Sequence, residues 1–98
     1  MCGFLGAFGH GNKERPPHHL LGHRGPDAFG VFKDEVILLA HNRLAIIDLD
    51  SRATQPMDSA SGNYKLVFNG EIYNYKLLKA ELEKQGVIFK TSSDTEVI

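Results

Sequence analysis

Read for its alternation of apolar and polar positions, the chain divides into short strand-like runs and one helical repeat. Gly3 to Phe8 is an apolar stretch that predicts a strand. Gly9, Gly11 and Asn12 break it before the charged Lys13-Glu14-Arg15 and the pair Pro16-Pro17. Pro17 to Leu21 can form one helical turn, and Gly22, Gly25 and Pro26 then keep His23-Arg24-Gly25-Pro26-Asp27 in an extended or turned loop. Phe29 to Phe32, Val36 to Ala40 and Leu44 to Leu49 predict three more strands, with Lys33-Asp34-Glu35 and His41-Asn42 as the turns of an antiparallel meander. From Asp50 to Asn63 the residues turn to Ser, Asp, Gly and Pro, which predicts a surface loop. Tyr64 to Phe68 returns to strand character and ends at Asn69-Gly70.

The helical repeat follows. Tyr75, Leu78 and Leu82 recur at helical spacing, Asn74 can serve as N-cap, and Gly86 stands where a C-cap is expected, so a helix is predicted from Tyr75 to Gln85. Val87 to Phe89 predicts another short strand. Ser93 and Glu96 have the spacing of a capping box, which predicts a second helix starting at Asp94. A sequence that stops inside a helix start reads as a fragment of a longer one.

Composition narrows the class. A chain of 98 residues, 42% apolar and 23% charged, holds one small globular domain. It contains no apolar run of the roughly 18 residues that would span a bilayer, nor a signal peptide, so a cytoplasmic setting is the default. The net charge of −1, with Lys and Arg scattered, offers no face for nucleic acid or membrane and leaves a small molecule as the expected ligand. The single cysteine excludes an internal disulfide and stands at position two.

That position matters chemically. A thiol becomes a strong nucleophile once a nearby base takes its proton. Removal of Met1 would expose the α-amine of Cys2, whose reference pKa of about 7.7 to 8.0 suits it to act as that base. Taken alone, Cys2 reads equally well as a small apolar residue opening a buried strand. Among the five histidines, His18, His19 and His23 suggest a metal site, but proline and glycine interrupt their spacing and no further ligands stand out, so no metal is assigned. No phosphate-binding loop is present.

Four motifs then occur in order: Met1-Cys2-Gly3, His23-Arg24-Gly25-Pro26-Asp27, Asn69-Gly70-Glu71-Ile72-Tyr73-Asn74 and Ser93-Asp94-Thr95-Glu96-Val97. With them the chain resembles, over its whole length, the class II glutamine amidotransferase (glutaminase) domain of the N-terminal-nucleophile hydrolases. The Pro26-Asp27 pair most resembles the branch found in glutamine-dependent asparagine synthetases. The resemblance implies an α+β fold, a partial and truncated four-layer αββα sandwich with antiparallel sheets, in which residues 1–98 form the N-terminal part of a type-2 amidotransferase domain. The stretch between Gly9 and His23 is shorter than the family's usual helix-containing segment.

The same resemblance implies roles. Cys2 would attack the side-chain amide of glutamine, and the Asn69 amide and Gly70 backbone N–H would hold the oxyanion. Arg43, followed by Leu44, Ala45, Ile46 and Ile47, would take the substrate's carboxylate through a two-pronged contact. Asp94, with Glu71, would take its ammonium group. Alone, Asn69-Gly70 reads better as a hairpin turn, Arg43 equally as a solvated strand-end arginine and Asp94 equally as a helix cap. Arg24 and Asp27 are expected to be scaffold, a charged pair bracing the loop. The ammonia half-reaction would need no cofactor, whereas ATP and magnesium would serve a synthetase domain outside this chain, in a parent protein that could be a homo-oligomer. The competing reading is a catalytically inert fragment acting as a folding, binding or assembly module.

Overall fold

The computed structural model describes residues 2–9 and 18–98. Met1 and most of the shortened segment after Gly9 lie outside them. A three-stranded antiparallel sheet carries the first half of the chain: β1 (Gly3–Phe8), β2 (Ala28–Lys33) and β3 (Ile37–Arg43). Its order is β1-β3-β2, so of the predicted antiparallel meander the first two strands pair as β2 and β3, and β1 takes the free side of β3 where the third was expected. Ahead of β2, the predicted turn of helix forms as a 3₁₀ turn over His18–Leu21.

The β2–β3 hairpin forms at the predicted Lys33-Asp34-Glu35. Asp34 closes it by accepting the N–H groups of Val36 and Ile37 at 2.8 and 2.7 Å. The turn expected at His41-Asn42 does not exist. Both residues lie in the central strand β3 and are buried, the His41 ring against the segment that carries Phe68, to whose carbonyl it bonds.

Leu44 to Leu49 is not a strand either. Its backbone donors are taken by side chains, Leu44 N–H by the Cys2 sulfur and Ala45 N–H by Asp27. Its apolar side chains stay largely outside the core, with Ile46 74% and Leu49 79% exposed. The run therefore carries apolar character without a ladder to join.

The loop from Asp50 onward contains a 3₁₀ turn, Ser51–Ala53, and the short strand β4 (Met57–Asp58), which pairs with β5 (Lys65–Leu66). The predicted strand Tyr64 to Phe68 shrinks to that pair. Phe68 has both backbone groups engaged by side chains instead of a neighbouring strand.

Helix α1 (Tyr75–Lys84) forms close to its predicted bounds, with Asn74 at the N-cap, although the Asn74 side chain makes no capping bond. It ends in a paired closure in which Gly86 N–H reaches Glu83 and Val87 N–H reaches Leu82. Val87 to Phe89 is irregular and not a strand, since the chain leaves this closure without a neighbouring strand to pair with.

The second helix is a single 3₁₀ turn, Asp94–Val97, capped by Ser93 accepting from Thr95 N–H. The expected capping box is not closed. Glu96 reaches back past Ser93 and accepts the N–H groups of Lys90 and Thr91, both at 2.7 Å, tying down the preceding loop. Among the described residues no helix is long and apolar enough to cross a membrane.

Candidate active site

The site begins at one end of the first sheet. Strand pairing sets Gly3 opposite Asn42, so the next step along each chain brings Cys2 beside Arg43 and Leu44. The Cys2 Sγ accepts the Leu44 N–H at 3.3 Å and lies 3.7 Å from the Leu44 carbonyl.

The loop at His23 to Asp27 laces this end together. Arg24 Nε donates to the Cys2 carbonyl at 3.1 Å, Asp27 N–H donates to the Arg43 carbonyl at 3.0 Å, and the Asp27 carboxylate accepts Ala45 N–H at 2.8 Å. A β-carbon at Gly25 would collide with the Asn42 carbonyl and lie 2.6 Å from the Arg43 nitrogen, so the loop can lie this flat only with glycine there. Arg24 and Asp27 brace this end of the sheet, but not as the expected charged pair, since they form no ion pair with each other. Each is spent on a different strand end.

Around Cys2 opens a cleft of about 400 Å³. It brings together Cys2, Arg43, Leu44, Ile46 and Ile47 with Asn69, Gly70, Glu71 and Asp94, from four separate stretches of chain. Of the sequence-predicted site residues only Ala45 does not line it. Ala45 serves from behind, through its N–H to Asp27. The cleft also takes in residues the sequence did not single out, among them Asp48, Gln55, Phe68, Tyr73 and Thr95. Tyr73 and Thr95 fall inside two of the motifs without having been assigned a role, whereas Asp48, Gln55 and Phe68 lie outside them, where no short motif marks a contributing position.

Arg43 is 7% exposed and donates Nη1 to the Asp50 carbonyl at 2.9 Å, which spends one of its five N–H donors and fixes its direction. Asp94, also 7% exposed, accepts Ile72 N–H through one carboxylate oxygen at 2.9 Å, and this draws the Glu71–Tyr73 segment to the cleft wall. Among the described residues no other protein group engages the Asn69 side-chain amide or the Gly70 N–H.

Asp48 is occupied on both oxygens by the N–H groups of Asp50 and Ser92, and those two bonds hold its carboxyl below the usual range. It joins two walls of the cleft. His41, on β3, is fully buried, with Nε2 3.2 Å from the Phe68 carbonyl. Burial pushes its pKa down, the Phe68 bond opposes this, and Arg43 adds to the lowering, so the balance favours the neutral ring.

A largely buried guanidinium and a largely buried carboxylate that share one cleft with a thiol, and with N–H donors that no other described protein group takes up, can hold a zwitterion and present a third group to the sulfur. Among the described residues no cluster of three or more His, Cys, Asp or Glu is placed to hold a metal ion. His18 and His19 lie in the 3₁₀ turn before β2, and His23 lies in the loop that follows it.

The chain is 41% identical to asparagine synthetase (glutamine-hydrolysing) 1 of Bacillus subtilis strain 168 over 110 residues, covering 100% of this chain and 17% of the relative. It is 43% identical to asparagine synthetase B of Escherichia coli K12 over 79 residues, covering 81% of this chain and 14% of that protein. Asparagine synthetase 2 of Arabidopsis thaliana is 39% identical over 105 residues, with 100% of this chain and 18% of the relative covered. The chain thus spans less than a fifth of the length of these relatives, all named as glutamine-hydrolysing. The family model of the glutamine amidotransferase domain matches residues 1–98, and this chain belongs to that family.

Proposed function

We propose that the cleft hydrolyses glutamine to glutamate and ammonia, with Cys2 as nucleophile, and that the ammonia passes to an ATP- and magnesium-dependent asparagine-forming synthetase domain of the same cytoplasmic protein. One observation carries the reading: Cys2, Arg43, Asn69, Gly70 and Asp94, scattered over nearly the whole sequence, line a single cleft. The relatives' names, which pair glutamine hydrolysis with asparagine synthesis, support the destination of the ammonia.

In this mechanism Met1 is removed and the freed α-amine takes the thiol proton. The thiolate attacks the carboxamide carbon, and the electron pair moves to the oxygen, where the Asn69 amide and Gly70 N–H meet it. The amine returns its proton to the departing nitrogen, the C–N bond breaks and ammonia leaves. Water then hydrolyses the γ-glutamyl thioester. Arg43 binds the α-carboxylate, Asp94 with Glu71 binds the α-ammonium, and neither takes part in the bond changes. The half-reaction uses no cofactor. For the complete domain we propose the four-layer αββα sandwich, a reading supported by the two antiparallel sheets and the α-helix among the described residues of this chain.

The test is covalent labelling of the full-length protein with an electrophilic glutamine analogue, followed by peptide mapping, beside Cys2→Ala. Label on Cys2, and loss of glutamine hydrolysis by on the order of 10⁴-fold or more in Cys2→Ala, are expected. Retained hydrolysis in Cys2→Ala would remove the nucleophile from this reading. Labelling that is equal with and without an unremovable N-terminal extension would remove the α-amine as base.

A further inference from the structure

Phe68, the residue before the proposed oxyanion donors, is gripped through both of its backbone groups. Its N–H donates to Gln55 Oε1 at 2.5 Å, and its carbonyl accepts from His41 Nε2 at 3.2 Å. That second bond requires the His41 proton on Nε2. The far end of Gln55 is also engaged, since its Nε2 donates to Thr95 Oγ1 at 3.2 Å, and Thr95 follows Asp94 directly.

Gln55 is thus a two-ended strut between the segments that carry the oxyanion donors and the ammonium partner. The strut is anchored. Gln55 is 6% exposed, and its backbone carbonyl lies so close to Gly30 of β2 that a β-carbon at that glycine would collide with it. His41 stands on the adjacent strand β3, opposite Gly30, so one grip on Phe68 starts from the sheet and the other from a residue packed against the neighbouring point of it.

We propose that Gln55, steadied by His41, is a positioning residue that sets Asn69, Gly70 and Asp94 at a fixed spacing across the cleft. The proposal deepens the glutaminase reading and rests on it. Neither Gln55 nor His41 is required to touch the substrate. Their effect passes through one peptide unit to the donors and through one hydroxyl to Asp94.

The two ends of the strut predict different kinetic signatures. The Thr95 end acts on Asp94, which holds the ammonium group equally in ground and transition states, so its loss raises KM and spares kcat. The Phe68 end acts on donors that work fully only when the oxyanion forms, so its loss lowers kcat.

The experiment measures steady-state glutamine hydrolysis by the full-length wild type, Gln55→Met, Thr95→Val and Thr95→Ser, with thermal melting of each. Thr95→Val is expected to raise KM about three- to tenfold with kcat within about twofold of wild type, and Thr95→Ser to restore KM. Gln55→Met, which matches the length but bonds at neither end, is expected to lower kcat about tenfold in addition.

Wild-type constants in folded Gln55→Met and Thr95→Val overturn the proposal. So do equal losses in Thr95→Val and Thr95→Ser, since the hydroxyl would then not be the operative group. If Gln55→Met does not fold, the Thr95 pair decides alone. A wild-type protein that releases no ammonia from glutamine overturns the glutaminase reading itself, and this proposal with it.

Discussion

The two halves of the cleft are built by different physics. Cys2 and Arg43 stand at the ends of β1 and β3, where pairing over six residues on each side fixes their neighbourhood by register. Asn69, Gly70 and Asp94 stand on segments whose nearest ladder, β4 with β5, is two residues long. Single polar side chains hold those segments instead: Gln55 and His41 on Phe68, Asp94 on Ile72, Asp48 on Ser92, and Glu96 on Lys90 and Thr91.

A ladder is redundant, so one lost side chain leaves the rest of the register in place. A clamp is not, because each bond is the main reason that its segment sits where it does. Substitutions in the strand-held half should therefore change chemistry with little change of shape, whereas those in the clamp-held half should move the site.

The sharpest test of the first claim is Arg43→Lys. β3 continues to present the residue at the same place, but a single ammonium cannot reproduce a two-pronged contact to a carboxylate while also bonding the Asp50 carbonyl. Glutamine KM is expected to rise about ten- to a hundredfold with kcat little altered, since charge-assisted contacts of this kind contribute about 1.5–3 kcal/mol. A glutamine titration of hydrolysis reads it. An unchanged KM would remove Arg43 from substrate binding.

A milder effect separates the halves through pH. Burial chiefly lowers the pKa of His41, so the folded protein binds the proton less readily than the unfolded chain. The sign follows directly. The contribution of neutral His41 to stability is complete above its unfolded value of about 6.5 and is lost as pH falls from there toward the lowered folded value. The melting temperature of wild type should drop between pH 7.5 and pH 5 by more than that of His41→Gln, which offers a comparable donor without titrating. Parallel curves would show that His41 is not the group sensing pH.

The same contrast explains what the sequence could and could not reveal. β1, β2, most of β3 and α1 were legible because alternation and the spacing of Tyr75, Leu78 and Leu82 report directly on which face is covered. Leu44 to Leu49 misled for the same reason. Leu44, Ile46 and Ile47 line a cleft, and nothing in a one-dimensional pattern distinguishes a cleft wall from a sheet face. That Cys2, Arg43, Asn69, Gly70, Glu71 and Asp94 share one cleft was legible through their motifs. Gln55, Asp48 and His41 were not, because they act through bonds spanning 13 to 44 residues of sequence, for which no local pattern exists.

The finest test uses two carboxylates doing the same local work in the two halves. Asp34 accepts Val36 and Ile37 N–H at 2.8 and 2.7 Å, and Asp48 accepts Asp50 and Ser92 N–H at 2.8 and 2.7 Å. In each the backbone bonds are the leading cause of a lowered pKa, so each contributes stability above the unfolded carboxyl value that is lost as pH falls through its lowered folded one. Their settings differ. Asp34 closes a hairpin whose strands are paired on either side of it, and both of its partners are within three residues. Asp48 joins loop segments 44 residues apart, and its removal leaves the Ser92 end without that tie. Asp34→Ala should therefore lower the melting temperature slightly and leave the glutamine KM alone. Asp48→Ala should raise KM severalfold, on the scale of about one lost hydrogen bond, because the segment leading to Asp94 shifts in the cleft. Hydrolysis assays and melting curves of the two variants, measured side by side, decide between clamp and ladder. Equal kinetic effects would show that the second half of the cleft is held by something other than its individual side chains.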